Sequence, residues 1–112
     1  MLEERKAFIE DGQVRDKNEF VTAAAITLDV YDQVVECDTT SNAITVTLPP
    51  VVEAKGKIYS IALITDGGND VTIQDQDDSR NWDGDYTLAD ANDEYVLFSN
   101  GRKWHVLSTT GI

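Results

Sequence analysis

The stretch Ala43-Ile44-Thr45-Val46-Thr47-Leu48-Pro49-Pro50 carries the pattern that decides the fold class. Its two threonines alternate with three aliphatic residues, which is the period of two expected of a half-buried β-strand. Isoleucine, valine and threonine are β-branched and suit a strand. The two prolines end it because neither can donate a hydrogen bond to a sheet. This stretch therefore predicts a strand with one buried and one exposed face.

Similar stretches recur along the chain, separated by turn-forming residues. We predict strands at residues 22–28, 33–38, 43–48, 57–65, 70–75, 86–88, 94–99 and 102–107. Asn100-Gly101 and Asp66-Gly67-Gly68-Asn69 are typical of hairpin turns, and the polar loop 39–42 has the length of one. About eight short, evenly spaced strands favour an all-β fold, specifically an antiparallel β-sandwich or a jelly-roll-like barrel.

Residues 57–65 form the longest apolar run, with little polar interruption. We predict that they form a central strand buried on both faces. In the next strand we expect Val71 and Ile73 to point inward, and near the end of the chain we expect Trp104 in the core. Cys37, the one cysteine, excludes an internal disulfide and is best interpreted as a buried, unreactive thiol.

Residues 1–19 differ from the rest because apolar side chains are scattered among charges. We divide the chain into an extended N-terminal arm, residues 1–19, and a β-sandwich domain, residues 20–112. A short helix over residues 2–10 fits the arm but is too short to be stable alone. Two interpretations remain open, an arm that orders against a partner and a frayed terminus. The predicted partner-binding anchors are Phe8, Ile9, Val14 and Phe20.

Composition narrows the function more than any motif does. The chain has 112 residues, the size of one domain, and its 21 acidic and 9 basic residues give a net charge of −12. This charge, without a Lys/Arg cluster, argues against binding nucleic acid or an anionic membrane. We find no secretory signal and no apolar run that would span a membrane, so we expect synthesis in the cytoplasm.

The acidic segment 75–85 is a candidate site for calcium or a glycan. Its carboxylates could supply oxygen ligands, but their spacing does not match an EF-hand loop. Trp82 could stack on a sugar, or it could cap the open end of the sandwich, which we favour. His105 is the only histidine, so neither a catalytic triad nor a His/Cys metal site can be read from the sequence. We expect no enzyme activity, metal or cofactor.

Three segments, taken in order, resemble the small β-rich modules in virion proteins of tailed bacteriophages. These segments are Thr45-Val46-Thr47-Leu48-Pro49 with the apolar strand after Gly56, Gly68-Asn69 followed by Val71-Thr72-Ile73-Gln74, and Asn100-Gly101 with Trp104 and Val106. Such modules occur in head decoration (cement) proteins, head fibres and tail fibres.

The resemblance covers roughly residues 22–107 and brings no catalytic residues with it. It implies a capsid decoration or cement subunit that binds the major capsid protein, or another virion protein, at the capsid surface. It also implies a homotrimer. The alternative is a head-fibre or tail-fibre module that binds a receptor or glycan, with Trp82 as the contact.

Overall fold

The computed structural model describes residues 17–82 and 84–112. These residues form nine β-strands and no helix, as expected from the alternation of buried and exposed positions. In β4 and β6, for example, every second residue is buried. The strands are β1 (Lys17–Val21), β2 (Ala25–Thr27), β3 (Asp32–Asp38), β4 (Ile44–Thr47), β5 (Ile58–Thr65), β6 (Val71–Gln74), β7 (Tyr86–Leu88), β8 (Glu94–Ser99) and β9 (Trp104–Thr110). The all-β prediction is confirmed.

The strands form two sheets, and the chain alternates between them. The larger sheet has the order β1-β3-β5-β8-β9 and the smaller sheet the order β2-β4-β6-β7. From β1 to β6 each strand lies in the opposite sheet from the one before, so the chain winds as a coil of three turns. Strands of successive turns pair in parallel. β7, β8 and β9 then add antiparallel to β6, β5 and β8.

The expectation of an antiparallel sandwich or jelly-roll-like barrel is wrong in its pairing, because four of the seven strand pairs are parallel. Among the described residues both sheets are open, so neither closes into a barrel. The error has a local cause. The loops after β3 and β5 were predicted as hairpin turns, but each crosses to the other sheet. The Asn100-Gly101 hairpin, in contrast, is confirmed by the antiparallel pair β8–β9.

The two crossing loops, residues 39–43 and 66–70, stack on one another as arches. Thr39, which is fully buried, joins them. Its backbone N–H donates to the carbonyl of Thr65 at 3.0 Å, and its hydroxyl oxygen accepts from the N–H of Gly67 at 3.1 Å. The side-chain amide of Asn69 donates to the Thr39 carbonyl at 3.0 Å. These bonds hold successive turns of the coil in parallel register.

One continuous hydrophobic core contains side chains from both sheets. Its largest fully buried side chain is Tyr59, which meets Trp104 edge to face with ring centroids 5.5 Å apart. The inward positions predicted for Val71, Ile73 and Trp104 are confirmed, as is the burial of Cys37. The remaining buried members are Val21, Leu28, Val35, Ile44, Val46, Leu48, Val51, Ala54, Ile61, Leu63, Leu88 and Leu97.

The N-terminal turn of the coil differs from the sequence interpretation. Lys17, Asn18 and Glu19, assigned to the arm, lie in β1, and the strand predicted at 22–28 is confined to Ala25–Thr27. The sequence pattern did not reveal β1 because its residues are mostly polar, and an edge strand needs few buried side chains. The helix predicted at residues 2–10 lies outside the described residues.

Candidate functional site

The outer face of the larger sheet presents apolar side chains to solvent. Strand register places Val34, Ser60 and Val96 in one row across β3, β5 and β8. Beside it runs a row of Phe20, Glu36, Ala62 and Glu94, and on the other side lie Ile58 and Phe98. Three of these residues are strongly exposed: Phe20 (62%), Ile58 (47%) and Val34 (44%).

The outer face of the smaller sheet is polar, unlike that of the larger sheet. Apart from Ala25 at its edge, its outward residues are threonine and glutamine, and Thr45, Thr72 and Thr87 lie in one row. In the next row the Gln74 amide donates to the Thr47 hydroxyl at 2.9 Å. A polar face of this kind needs no cover, whereas exposed apolar side chains grouped on one face indicate an interaction surface.

On the outer face of the larger sheet, β5 contributes most of the apolar character. Its position at the centre of the larger sheet is confirmed, but the prediction that both of its faces are buried is wrong. Tyr59, Ile61 and Leu63 face the core, while Ile58 and Ile64 are exposed on the opposite face. The apolar run therefore matches a strand covered on both sides, and within the described residues the chain covers only one.

Of the predicted partner-binding residues, Phe20 lies at the edge of this face. It belongs to β1, in register with Glu36 of β3. Phe8, Ile9 and Val14 lie outside the described residues. The sequence interpretation missed Val34, Ile58 and the two glutamates, although the length of the 57–65 apolar run was a signal for the face that carries them.

Trp82 lies elsewhere, in an aromatic ladder that bridges the two sheets. Its ring meets Tyr86 of β7 with centroids 4.9 Å apart, and Tyr86 stacks on Tyr95 of β8 at 4.5 Å. All three rings pack against the core, and the Trp82 indole N–H donates to Asp85 at 3.1 Å. This arrangement favours the capping role over the sugar-stacking one.

The carboxylates of the acidic segment hold its backbone in place. Asp75 accepts hydrogen bonds from the N–H of Asp77 and from both the N–H and the hydroxyl of Ser79. Asp78 accepts from the N–H of Val51 at 3.0 Å, which ties the segment to the loop before β5. Within residues 17–82 and 84–112 no three His, Cys, Asp or Glu side chains are grouped as a metal site. Asp83 lies outside the described residues.

Cys37 and His105 are the side chains that could serve as a nucleophile and a base, but neither lies in a reactive environment. Burial raises the pKa of the Cys37 thiol to about 12, so the thiolate nucleophile is not formed near neutral pH. His105 Nε2 lies 3.1 Å from the side-chain amide of Asn100, within the β8–β9 hairpin. These residues therefore offer no nucleophile and base pair.

A charged cluster anchors the start of β1. The Lys17 ammonium lies 3.2 Å from Asp29, 3.3 Å from Asp32 and 3.5 Å from Glu19. Hydrogen bonds to Asp29 and Asp32 raise the pKa of Lys17, and a hydrogen bond with Asp32 raises that of Glu19. The cluster ties β1 to the turn before β3, so we interpret it as structural.

No protein-family model matches the chain, and no curated protein is similar to it. In the part of the chain that the structure describes, no helix has the length and apolar character needed to cross a membrane.

Proposed function

We propose that the chain is a structural subunit of a bacteriophage virion, a decoration or cement protein that binds the capsid surface and stabilises the shell. The observation that carries this proposal is the apolar outer face of the larger sheet, where the described residues leave Phe20, Val34 and Ile58 exposed. The sequence resemblance to phage virion modules supports the class. The function is mechanical: burying apolar area on the shell contributes about 25 cal/mol per Å² at each copy.

The proposal names the major capsid protein, or another virion protein, as the partner, and places the chain on the outside of the virion as a homotrimer. Sedimentation of the full chain measures the number of copies. The outer face of the smaller sheet, with Thr45, Thr72 and Thr87, remains in solvent in this arrangement. No enzymatic activity forms part of the proposal.

Binding to capsid shells purified from the virus that encodes the chain tests this function. The full chain is expected to co-sediment with the shells. The double variant Val34→Thr/Ile58→Thr keeps β-branched residues on the sheet but removes apolar contact, and its affinity should fall about tenfold or more. The matched control is Thr72→Ala/Thr87→Ala on the opposite face, which should bind as the unmodified chain does. Failure of the unmodified chain to bind shells would refute the function.

A further inference from the structure

On the outer face of the larger sheet, the strand register and the side-chain sizes indicate a shallow trough along β5. Small side chains, Ser60 and Ala62, form its floor, and each lies between larger side chains on the neighbouring strands. Val34 and Val96 flank Ser60, while Glu36 and Glu94 flank Ala62. The floor residues are two positions apart on one strand, so the floor is about 7 Å long.

Glu36 and Glu94 lie at one end of this trough, on either side of Ala62. Their Cα atoms are separated by two strand spacings, about 9.5 Å. The Ser60 hydroxyl donates to Glu94 Oε2, which holds that carboxylate over the trough. Among the described residues, neither Glu36 nor Glu94 forms an ion pair with a lysine or arginine.

We propose that the trough binds an arginine side chain presented by the surface of a partner protein. Its aliphatic stem would lie over Ser60 between the two valines, and its guanidinium would donate to Glu36 and Glu94 together. Arginine fits because its planar head carries five donors in a fixed fork and its stem packs on apolar surface. A second copy docked through the same face fits less well, because the Glu36 and Glu94 carboxylates of the two copies would repel one another. The proposed homotrimer therefore forms through other surfaces.

This inference rests on the proposed function in using the same face for binding, but a peptide tests it without capsids. The probe is the strand peptide acetyl-Thr-Val-Thr-Arg-Thr-Val-Thr-amide, titrated at low salt into the ¹⁵N-labelled full chain and followed by NMR. The amide signals of Glu36, Ala62 and Glu94 should shift. The same peptide with citrulline, which is neutral and nearly the same shape, should bind about fivefold more weakly.

Protein variants show which carboxylates are responsible. Glu36→Gln/Glu94→Gln should remove the preference for arginine over citrulline, while Ser60 can still donate to the amide oxygen that replaces the second carboxylate. Asp66→Asn/Asp90→Asn makes the same change in net charge away from the trough and should keep the preference. Equal binding of the two peptides, or signal shifts confined to other surfaces, would overturn the inference. So would an oligomer of the unmodified chain that dissociates in the glutamate variant, because a second copy would then occupy the face.

The two proposals fail in distinguishable ways. Shell binding with no preference for arginine refutes the trough and leaves the decoration function standing. A clear preference for arginine with no shell binding refutes the decoration function and leaves the trough as a site for another protein.

Discussion

At Gly67 the two stacked arches touch through their backbones. A Cβ atom at this position would lie 2.2 Å from the Cα of Thr40 and 2.9 Å from the carbonyl oxygen of Thr39. No side chain can relieve such a contact, because both neighbours are backbone atoms. Glycine is therefore required here by the close approach of two loops that are distant in the sequence.

We expect Gly67→Ala to lower the free energy of unfolding by about 3 kcal/mol, measured by urea denaturation. Gly68→Ala is the matched control, since a Cβ there meets nothing within 4 Å but the residue has a φ of +97°. Its cost should be only the left-handed backbone strain, about 1 kcal/mol. Equal losses for the two variants would contradict the stacking of the arches.

Asp38 precedes the first arch and accepts two hydrogen bonds from Thr40. The Thr40 hydroxyl donates to Asp38 Oδ1 at 2.6 Å and the Thr40 N–H donates to the same oxygen at 2.9 Å. These bonds, with the hydroxyl contributing most, lower the pKa of Asp38. Because the folded pKa lies below the unfolded one, Asp38 stabilises the fold above about pH 4, and this contribution is lost as the pH falls through the folded pKa.

Thr40→Val removes the hydroxyl and keeps the β-branched shape, so it should raise the pKa of Asp38 toward the ordinary aspartate value. The side-chain ¹³C signal of Asp38 in an NMR pH titration measures this shift directly. An unchanged pKa would show that the hydroxyl does not bond to Asp38 in solution. Asp29, in the turn before β3, serves as the internal reference, because Thr40→Val leaves the hydrogen bond from the Tyr31 N–H that lowers its pKa in place.

At the scale of the element, one strand serves two surfaces. β5 turns Tyr59, Ile61 and Leu63 to the core and Ile58 to the proposed partner. Its inner face contributes to stability, because those side chains are fully buried, and its outer face is the surface that we propose for binding. The aromatic ladder has a comparable structural role, since Trp82, Tyr86 and Tyr95 connect β7 of one sheet to β8 of the other.

Trp82→Ala should lower the free energy of unfolding by about 2 kcal/mol, less than for a fully buried tryptophan because Trp82 is only half-buried. Urea denaturation checks this loss. A glycan array with the same variant separates the two interpretations of the residue. Unchanged stability together with lost glycan binding would refute the capping role and support the receptor-binding alternative.

At the scale of the whole molecule, the charge balance opposes the folded state. The net charge of −12 is confined to a small volume, so the carboxylates repel one another more in the folded chain than in the extended one. At about 0.1 M salt the screening length is about 10 Å, shorter than the molecule. Salt should therefore relieve part of this repulsion.

Raising NaCl from about 0.01 M to about 0.5 M at pH 7 should increase Tm by about 5 °C, equivalent to about 1 kcal/mol. Differential scanning calorimetry measures this shift. The control is the same pair of salt concentrations at pH 4.2, the calculated isoelectric point, where the shift should largely disappear. A salt effect of equal size at both pH values would show that it does not arise from charge repulsion.

Strand existence was predictable in most places because it depends on local alternation. The strands at Tyr86–Leu88 and Glu94–Ser99 were predicted with their observed limits, and the Asn100-Gly101 hairpin was recognised from its turn residues. The exception, β1, is a polar edge strand whose pairing with β3 no local pattern indicates. The candidate site was only partly predictable, since Phe20 was chosen as an anchor, whereas Val34 was not singled out and Ile58 was assigned to a strand buried on both faces.

The sequence by itself determined that this chain alternates strands and turns, buries Cys37 and Trp104, and carries a strand from Ile58 to Thr65 apolar enough for two buried faces. Only the tertiary structure decided which strands pair. A glycine-containing turn such as 66–69 can reverse a chain within one sheet or carry it to a facing sheet, and the choice depends on contacts with residues far away in the sequence. Here the hydrogen bonds of Thr39 with Thr65, Gly67 and Asn69 stabilise the crossing to the facing sheet. The resulting coil covers one face of β5, and within the described residues Ile58 and Ile64 stay exposed on the other.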